Sequence, residues 1–210
     1  MVRLDQGLHA LLGLGSLGGG WPIRILVAGA SGVLGRATLP HLARHDVVGL
    51  TRTPAKTRVI DELGAEGIVC DVYDRPALRR VVQQARPQIV VNFLTDLSAG
   101  AAEPNNRVRR EGAANLLDGA RAAGAARLVA ESVAFALDDD GTRALTMLER
   151  STLAFPGEAV ILRFGRLWGA GTFHQAPPDR PRIEIGAAGA EAARLITGAK
   201  PGTYAVVDPD

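Results

Sequence analysis

The chain has 210 residues, of which 47% are hydrophobic and 22% charged, a composition typical of a globular protein with a sizeable core. Its formal net charge of +2 argues against nucleic-acid binding. Cys70 is the only cysteine, which excludes an intrachain disulfide, and we expect a reducing, cytoplasmic location. No apolar run reaches about 18 residues, so we expect no transmembrane helix and no membrane partner.

The first 22 residues are rich in glycine, and residues 8–22 read LHALLGLGSLGGGWP. A strand-like run starts directly afterwards, so residues 1–22 are predicted to be a loosely ordered extension rather than a signal peptide. A short helix over residues 4–12, packed on the domain, is the alternative. Residues 23–210 are predicted to form a single domain.

Short apolar runs along the chain have the composition of strands covered on both faces. In chain order they are Ile23–Ala28, Val47–Leu50, Gly67–Cys70, Ile89–Leu94, Arg127–Ser132, Ala159–Leu162 and Tyr204–Val207. The predicted helices between them are Gly32–Arg44, Ala55–Leu63, Arg75–Ala85, Asn106–Ala123, Thr142–Leu153 and Ala187–Ile196. This alternation indicates βαβ units, so the predicted fold class is α/β: a Rossmann-type, doubly wound parallel sheet flanked by helices.

A glycine-rich turn, GASGVLG, joins the first predicted strand to the first predicted helix. Gly29 permits the tight turn, Gly32 lets the backbone approach a pyrophosphate, and Gly35 allows close packing of the helix on the sheet. N–H groups at the helix start favour bound phosphate. We therefore predict dinucleotide binding; the alternative is a tight turn that binds nothing. The predicted contacts in this turn are Gly29, Ser31, Gly32, Val33, Leu34 and Gly35.

The second predicted strand ends in LTRTPAK, with Arg52 where a site for NAD usually has Asp or Glu on the ribose 2′-hydroxyl. A guanidinium can make paired, charge-assisted hydrogen bonds to a 2′-phosphate, which a carboxylate would repel. The sequence therefore predicts NADP(H) in preference to NAD(H). The alternative is a surface arginine without a ligand.

Several further stretches occur together with GASGVLG and LTR: CDVYD at 70–74, VVNFLTDL at 90–97, NNRVRREGAANLLDGARAAGAARLVAESVAFA at 105–136 and LRFGRLWGAGT at 162–172. In this order they resemble the extended or atypical short-chain dehydrogenase/reductase superfamily, whose members are NAD-dependent epimerase/dehydratase-like proteins. The resemblance covers residues 23–172 and resumes in PGTYAVVDPD at 201–210. It implies an NAD(P)-binding protein.

The resemblance also implies roles for residues at the strand ends. Asp71 and Val72 would lie beside the adenine; Asn92, Leu94 and Thr95 would line the cofactor; Ser132 matches the active-site serine; and residues 163–165 would approach the nicotinamide. Each residue has a local structural role as the alternative, such as a turn cap or a hydroxyl bonded to a carbonyl.

The superfamily's usual catalytic pair, Tyr-x-x-x-Lys, is absent from the chain. The only tyrosines are Tyr73 and Tyr204, the only lysines are Lys56 and Lys200, and neither lysine follows a tyrosine at the required spacing. Members of the family often have Glu eight residues after the catalytic tyrosine. When that glutamate is matched to Glu149, Gly141 and Leu145 stand where the tyrosine and the lysine would be. No metal-ligand spacing replaces the pair.

Three functional hypotheses follow and remain open at this point. One is an oxidoreductase or epimerase with non-standard acid/base residues, since hydride chemistry belongs largely to the cofactor. The second is a catalytically silent NADP(H)-binding sensor or scaffold protein, and the third is a degenerate copy with no defined function. The 38 residues after Thr172 predict a much reduced substrate lobe, which a homodimer could complete. The small-molecule substrate is not specified by the sequence.

Overall fold

The structure, a computed structural model, describes residues 21–96 and 102–209. Its strands are β1 (Arg24–Ala28), β2 (Asp46–Thr51), β3 (Glu66–Val69), β4 (Ile89–Asn92), β5 (Arg127–Val133), β6 (Glu158–Phe164), β7 (Arg166–Trp168), β8 (Arg182–Glu184) and β9 (Gly202–Val206). Its helices are α1 (Val33–Thr38), α2 (Thr57–Glu62), α3 (Arg75–Ala85), α4 (Ala102–Arg107), α5 (Ala113–Ala122), α6 (Asp139–Leu153) and α7 (Ile185–Gly198).

Seven strands form one parallel sheet in the order β3-β2-β1-β4-β5-β6-β9, which confirms the predicted fold class. The chain winds outward from β1 in one direction to β3 and then returns to place β4 on the other side of β1. The strand order therefore reverses between β1 and β4, and open α/β sheets bind ligands outside the carboxyl ends of the strands at this point. Strands β7 and β8 form a separate parallel pair.

The sheet is buried on both faces by helices. Alternate residues of one strand contribute to different cores: Val129 of β5 packs with α1 and α7, whereas its neighbour Leu128 packs with α3 and α5. Burial on both faces explains why the strand sequences are continuously apolar rather than alternating. No helix within the described ranges is long and apolar enough to cross a lipid bilayer.

Three predicted helices differ from the structure. The one predicted over Ala55–Leu63 begins as a 3₁₀ turn over Pro54–Lys56 and becomes α-helical at Thr57. The helix predicted over Gly32–Arg44 ends at Thr38 and continues as a 3₁₀ turn over Leu39–Leu42, because Pro40 lacks the N–H that a continued α-helix would need. The helix predicted over Asn106–Ala123 is α4, a π-helical turn over Val108–Gly112, and α5. Strands β7 and β8 were not predicted, and each has only three residues.

Of the predicted extension, residues 1–20 lie outside the described ranges, so the structure does not bear on their fold. Trp21 and Pro22 are described and exposed, and β1 begins two residues later at Arg24.

The packing of α7 on α1 depends on Gly189, which is buried in α7. A Cβ at this position would lie 2.3 Å from the carbonyl oxygen of Ala37 in α1. We expect Gly189→Ala to lower the free energy of unfolding by about 1–3 kcal/mol, the usual cost of overpacking. Chemical denaturation measures it. The matched control is Gly198→Ala in the same helix, where a Cβ meets no atom within 4 Å; equal destabilisation by both variants would contradict the packing argument.

Candidate functional site

A cleft of about 200 Å³ lies at the carboxyl ends of β1, β2, β3 and β4, beside the point where the strand order reverses. The structure brings eight of the predicted cofactor residues to its lining: Gly29, Ser31, Gly32, Arg52, Asp71, Val72, Leu94 and Thr95. The other four, Val33, Leu34, Gly35 and Asn92, lie outside that lining. The predicted residues therefore meet at one edge of the sheet, although they come from four separate stretches of the chain.

The turn after β1 is built on glycine for steric reasons. Gly29 has a φ of +87°, which an L side chain rarely adopts, and a Cβ there would lie 2.2 Å from the carbonyl oxygen of Phe93. A Cβ on Gly35 would lie 2.4 Å from the carbonyl oxygen of Gly29. Gly29 thus allows the turn to contact the chain beyond β4, and Gly35 allows α1 to fold back onto the turn.

The cleft side of the turn is open at Gly32. A Cβ on Gly32 would meet only the Gly29 carbonyl oxygen within 4 Å, at 3.1 Å. Gly32 is the N-cap of α1 and provides no side-chain cap, so the N–H groups of the first turn lack the usual capping acceptor. The hydroxyl of Ser31 donates to Thr51 Oγ1 at 3.1 Å and ties the turn to the end of β2.

Arg52, the first residue after β2, lines the cleft. Its Nη1 donates to Asp96 Oδ2 at 3.0 Å, and the two side chains are 57% and 13% exposed, respectively. Thr53 and Lys56 line the same part of the cleft. This end of the cleft therefore has two cationic side chains and an acidic residue that the sequence analysis missed.

Two predicted site residues hold loop backbone in place. Asp71 Oδ1 accepts a hydrogen bond from the Tyr73 N–H at 2.9 Å, and Asn92 Oδ1 accepts one from the Leu94 N–H at 3.1 Å. Asp71 also lines the cleft, whereas Asn92 is buried behind it. Asn92 therefore shapes the loop that carries Leu94 and does not itself contribute to the surface of the cleft.

Ser132 lies near the end of β5 in a network of side chains. Its hydroxyl donates to Glu149 Oε1 at 2.5 Å, and Arg163 donates to both Glu149 oxygens at 2.8 and 2.6 Å. The hydrogen bonds from Arg163 lower the pKa of Glu149. Ser132 is 1% exposed, so its hydroxyl serves to join β5 to α6 in this structure.

The positions that correspond to the missing catalytic pair carry no proton donor. Gly141 lies in the first turn of α6, where its N–H donates to the capping Asp138 carboxylate at 2.7 Å. Leu145 is half-buried one turn later. The start of α6 is therefore an ordinary capped helix terminus.

Glu131, the residue before Ser132, was missed by the sequence analysis. Burial raises the pKa of its carboxyl to about 7, and Arg109 of the π-helical turn opposes that shift. Burial in turn lowers the pKa of Arg109. A signal existed in the sequence, since Glu131 is the only acidic residue in the apolar run LVAESV.

This strand order, with a glycine turn and a cleft at the switch point, defines a Rossmann-type α/β protein. Residues 25–150 match the NAD dependent epimerase/dehydratase family. The chain belongs to that family, as the sequence analysis predicted.

One curated relative is "3-diazoavenalumate denitrifying reductase" from Streptomyces sp., which is 37% identical over 180 residues covering 71% of this chain. The match covers only 58% of that relative's length. Among solved structures, a putative NAD-dependent epimerase/dehydratase from Bacillus halodurans is 18% identical, with a TM-score of 0.75 over 90% of this chain and 95% of that chain. Thermus thermophilus UDP-glucose 4-epimerase, solved with NAD, is 19% identical, with a TM-score of 0.73 over 90% of this chain and 78% of that chain. These structures show the shared fold.

The raised pKa of Glu131 makes stability depend on pH. Because the folded chain holds this proton up to about pH 7, against an ordinary pKa of 4.5, stability falls as pH rises through that interval. We expect Glu131→Gln to be more stable than wild type at pH 8 by up to roughly 3 kcal/mol, and nearly equal at pH 4.5. Chemical denaturation at both pH values measures the difference. Asp139→Asn, at an exposed acid of α6, serves as control; the same pH-dependent gain there would exclude Glu131 as its source.

Proposed function

We propose that this chain is a reductase that binds NADP(H) in preference to NAD(H) and uses it to reduce a small electrophilic substrate. The observation that carries the proposal is a cleft at the switch point, with a glycine turn, Arg52 and Lys56 in its lining. Family membership supports a nicotinamide dinucleotide as the ligand. The reductase relative supports reduction as the reaction class.

The residues present fit such a dinucleotide. The bare Cα of Gly32 opens the turn toward the cleft, so the N–H groups that follow would bind the pyrophosphate. Asp71 and Val72, after β3, would lie beside the adenine. Leu94 and Thr95, after β4, would line the path toward the nicotinamide half of the cofactor. When bound, the reduced nicotinamide supplies hydride.

Selectivity for the 2′-phosphate would come from the end of the cleft that Arg52 and Lys56 line. Arg52 occupies the position after β2 where a site for NAD carries a carboxylate, and Lys56 adds a second positive charge on the same side. Asp96 competes for Arg52 through their salt bridge. A bound 2′-phosphate would replace Asp96 as the partner of the guanidinium.

The absence of Tyr-x-x-x-Lys favours a substrate whose reduction leaves no oxyanion to protonate. The relative's name describes a denitrifying reductase of a diazo compound. When hydride adds to a carbon that carries a diazonium group, the C–N bond breaks, the electron pair leaves with N₂, and a C–H bond forms. That step needs an oriented hydride donor and no tyrosine, so a diazo substrate suits this chain.

The alternative is a silent NADP(H)-binding sensor or scaffold, which the engagement of the Ser132 hydroxyl by Glu149 favours. NADPH oxidation followed by absorbance, with a neutral diazo compound as acceptor, separates the two functions. The reductase proposal expects enzyme-dependent oxidation of NADPH and release of nitrogen. Tight NADPH binding without oxidation would support the silent binder instead.

Arg52 provides the test of cofactor preference. We expect Arg52→Asp to weaken NADPH binding by about 10- to 100-fold, because a charge-assisted contact is lost and a repulsive carboxylate is introduced, while NADH binding changes little. Isothermal titration calorimetry with both cofactors measures this. Arg58→Asp is the matched control, since it makes the same charge change at a residue that pairs with Glu62 and does not line the cleft.

A second variant tests the competition for Arg52. Asp96→Asn removes the carboxylate that holds Arg52 at 3.0 Å, so we expect tighter NADPH binding than in wild type. The same titration measures it. Unchanged NADPH affinity in both Arg52→Asp and Asp96→Asn would overturn the NADP(H) preference without affecting dinucleotide binding.

A further inference from the structure

We propose that Glu131 is the proton donor of this site and that the proton it gives activates a neutral diazo substrate. The inference rests on the proposed reductase function and deepens it by naming a catalytic residue and a substrate class.

Glu131 lies where the nicotinamide half of a bound dinucleotide would end. The cleft at the ends of β1, β2 and β3 would take the adenosine half, so the other half must extend past the switch point over β4, β5 and β6. Pairing of β5 with β4 stops at Ala130, opposite Asn92, while Glu131 still pairs with Leu162 of β6. Glu131 is therefore the first residue of β5 beyond the end of β4, at the carboxyl edge of the sheet.

Glu131 is half-buried as a residue, and its carboxyl has no hydrogen bond or salt bridge to any residue in the described ranges. Arg109 faces it from the π-helical turn, and it too makes no hydrogen bond or salt bridge with a described residue. An acid and a cation that attract each other without a direct bond both keep hydrogen-bonding capacity for a third polar group.

The other charged groups around Glu131 are already engaged. Glu149 of α6 accepts hydrogen bonds from both Ser132 and Arg163 of β6. Asp138, which precedes α6 and also attracts Arg109, caps the helix. These groups therefore serve to hold β5, β6 and the start of α6 in place around the site.

Asp140, another acid near this edge, is a poor proton donor. Asp140 accepts hydrogen bonds from Asn106 and Arg110 at 2.9 and 3.3 Å, and these contacts lower the pKa of its carboxyl. It therefore remains ionised at neutral pH. Burial raises the pKa of Glu131 to about 7, so Glu131 retains its proton in a large fraction of molecules at that pH, as a general acid requires.

The reaction balances with one proton and one hydride. The Glu131 O–H bond breaks and its proton forms a C–H bond at the diazo carbon, which gives a diazonium carbon and leaves Glu131 as a carboxylate. Bound NADPH would supply a hydride, which would form the second C–H bond while the C–N bond breaks and its electron pair leaves with N₂. The carbon is reduced and NADPH is oxidised to NADP⁺. Glu131, being partly exposed, regains a proton from water.

The first test measures the ionisation of Glu131 directly. Infrared titration of the full-length protein should show a carboxylic acid band that disappears around pH 7, is absent in Glu131→Gln and persists in Asp139→Asn. NADP⁺ carries a positive charge on its nicotinamide, so it should lower the pKa of Glu131 by about one unit. The probe 2′-phospho-ADP-ribose lacks the nicotinamide and should leave that pKa nearly unchanged.

These outcomes separate the two proposals. One outcome is that calorimetry shows both ligands bind while the pKa of Glu131 either does not shift or shifts by the same amount with each ligand. In that case Glu131 does not adjoin the nicotinamide and this inference is wrong, while cofactor binding stands. If neither ligand binds, the proposed function itself is wrong.

The second test measures turnover with ethyl diazoacetate, a neutral diazo probe, and NADPH. The rate should fall as pH rises through about 7, drop by at least about 100-fold in Glu131→Gln, and stay near wild type in Asp139→Asn. A Glu131→Gln variant with wild-type rate and pH profile would overturn the role of Glu131. A wild-type protein that binds NADPH but does not turn over the probe would overturn the diazo substrate class.

Discussion

The close contact between the turn after β1 and the chain after β4 is the constraint on which the rest of the site depends. Gly29 touches the Phe93 carbonyl so closely that no side chain fits between them. This contact sets the turn against the loop that carries Leu94 and Thr95, and the cleft forms where the two diverge. The parallel sheet supplies the other half of the arrangement, because parallel strands bring their carboxyl ends to one edge. A residue larger than glycine would separate two walls of one binding surface.

Much of the fold and the cofactor end of the site could be predicted from local sequence. Continuous apolar strands, a glycine turn and Arg52 after β2 are patterns that a few adjacent residues specify. Asp96 was missed because its role depends on a contact with a residue 44 positions away. The π-helical turn was missed because the pattern of VRREG does not distinguish it from continuous α-helix. Glu131 has a local signal as the only acidic residue in LVAESV, but that signal does not show whether its carboxyl has a partner in the folded chain.

The chain keeps the framework of the candidate site but lacks the Tyr-x-x-x-Lys pair. Ser132 keeps its place on β5, but its hydroxyl bonds to Glu149, which Arg163 holds in turn. That network fastens β5 to α6 and β6 and so retains the sheet edge in the absence of a tyrosine and a lysine on α6. Under the proposed mechanism the acid moves one residue along β5, to the opposite side of the strand. Only the proton donor then has to change for the same cofactor to reduce a different class of electrophile.

The salt bridge between Arg52 and Asp96 changes how ionic strength acts on the cofactor site. An isolated arginine that binds phosphate loses affinity steadily as salt screens the attraction. Here salt also screens the competing attraction between Arg52 and Asp96 in the cofactor-free protein. The cofactor-free and cofactor-bound states therefore both lose electrostatic energy, and part of the two losses cancels in the binding affinity. Under the proposed preference for NADP(H), cofactor selectivity would rest on an exchange of partners and would be buffered against changes in salt concentration.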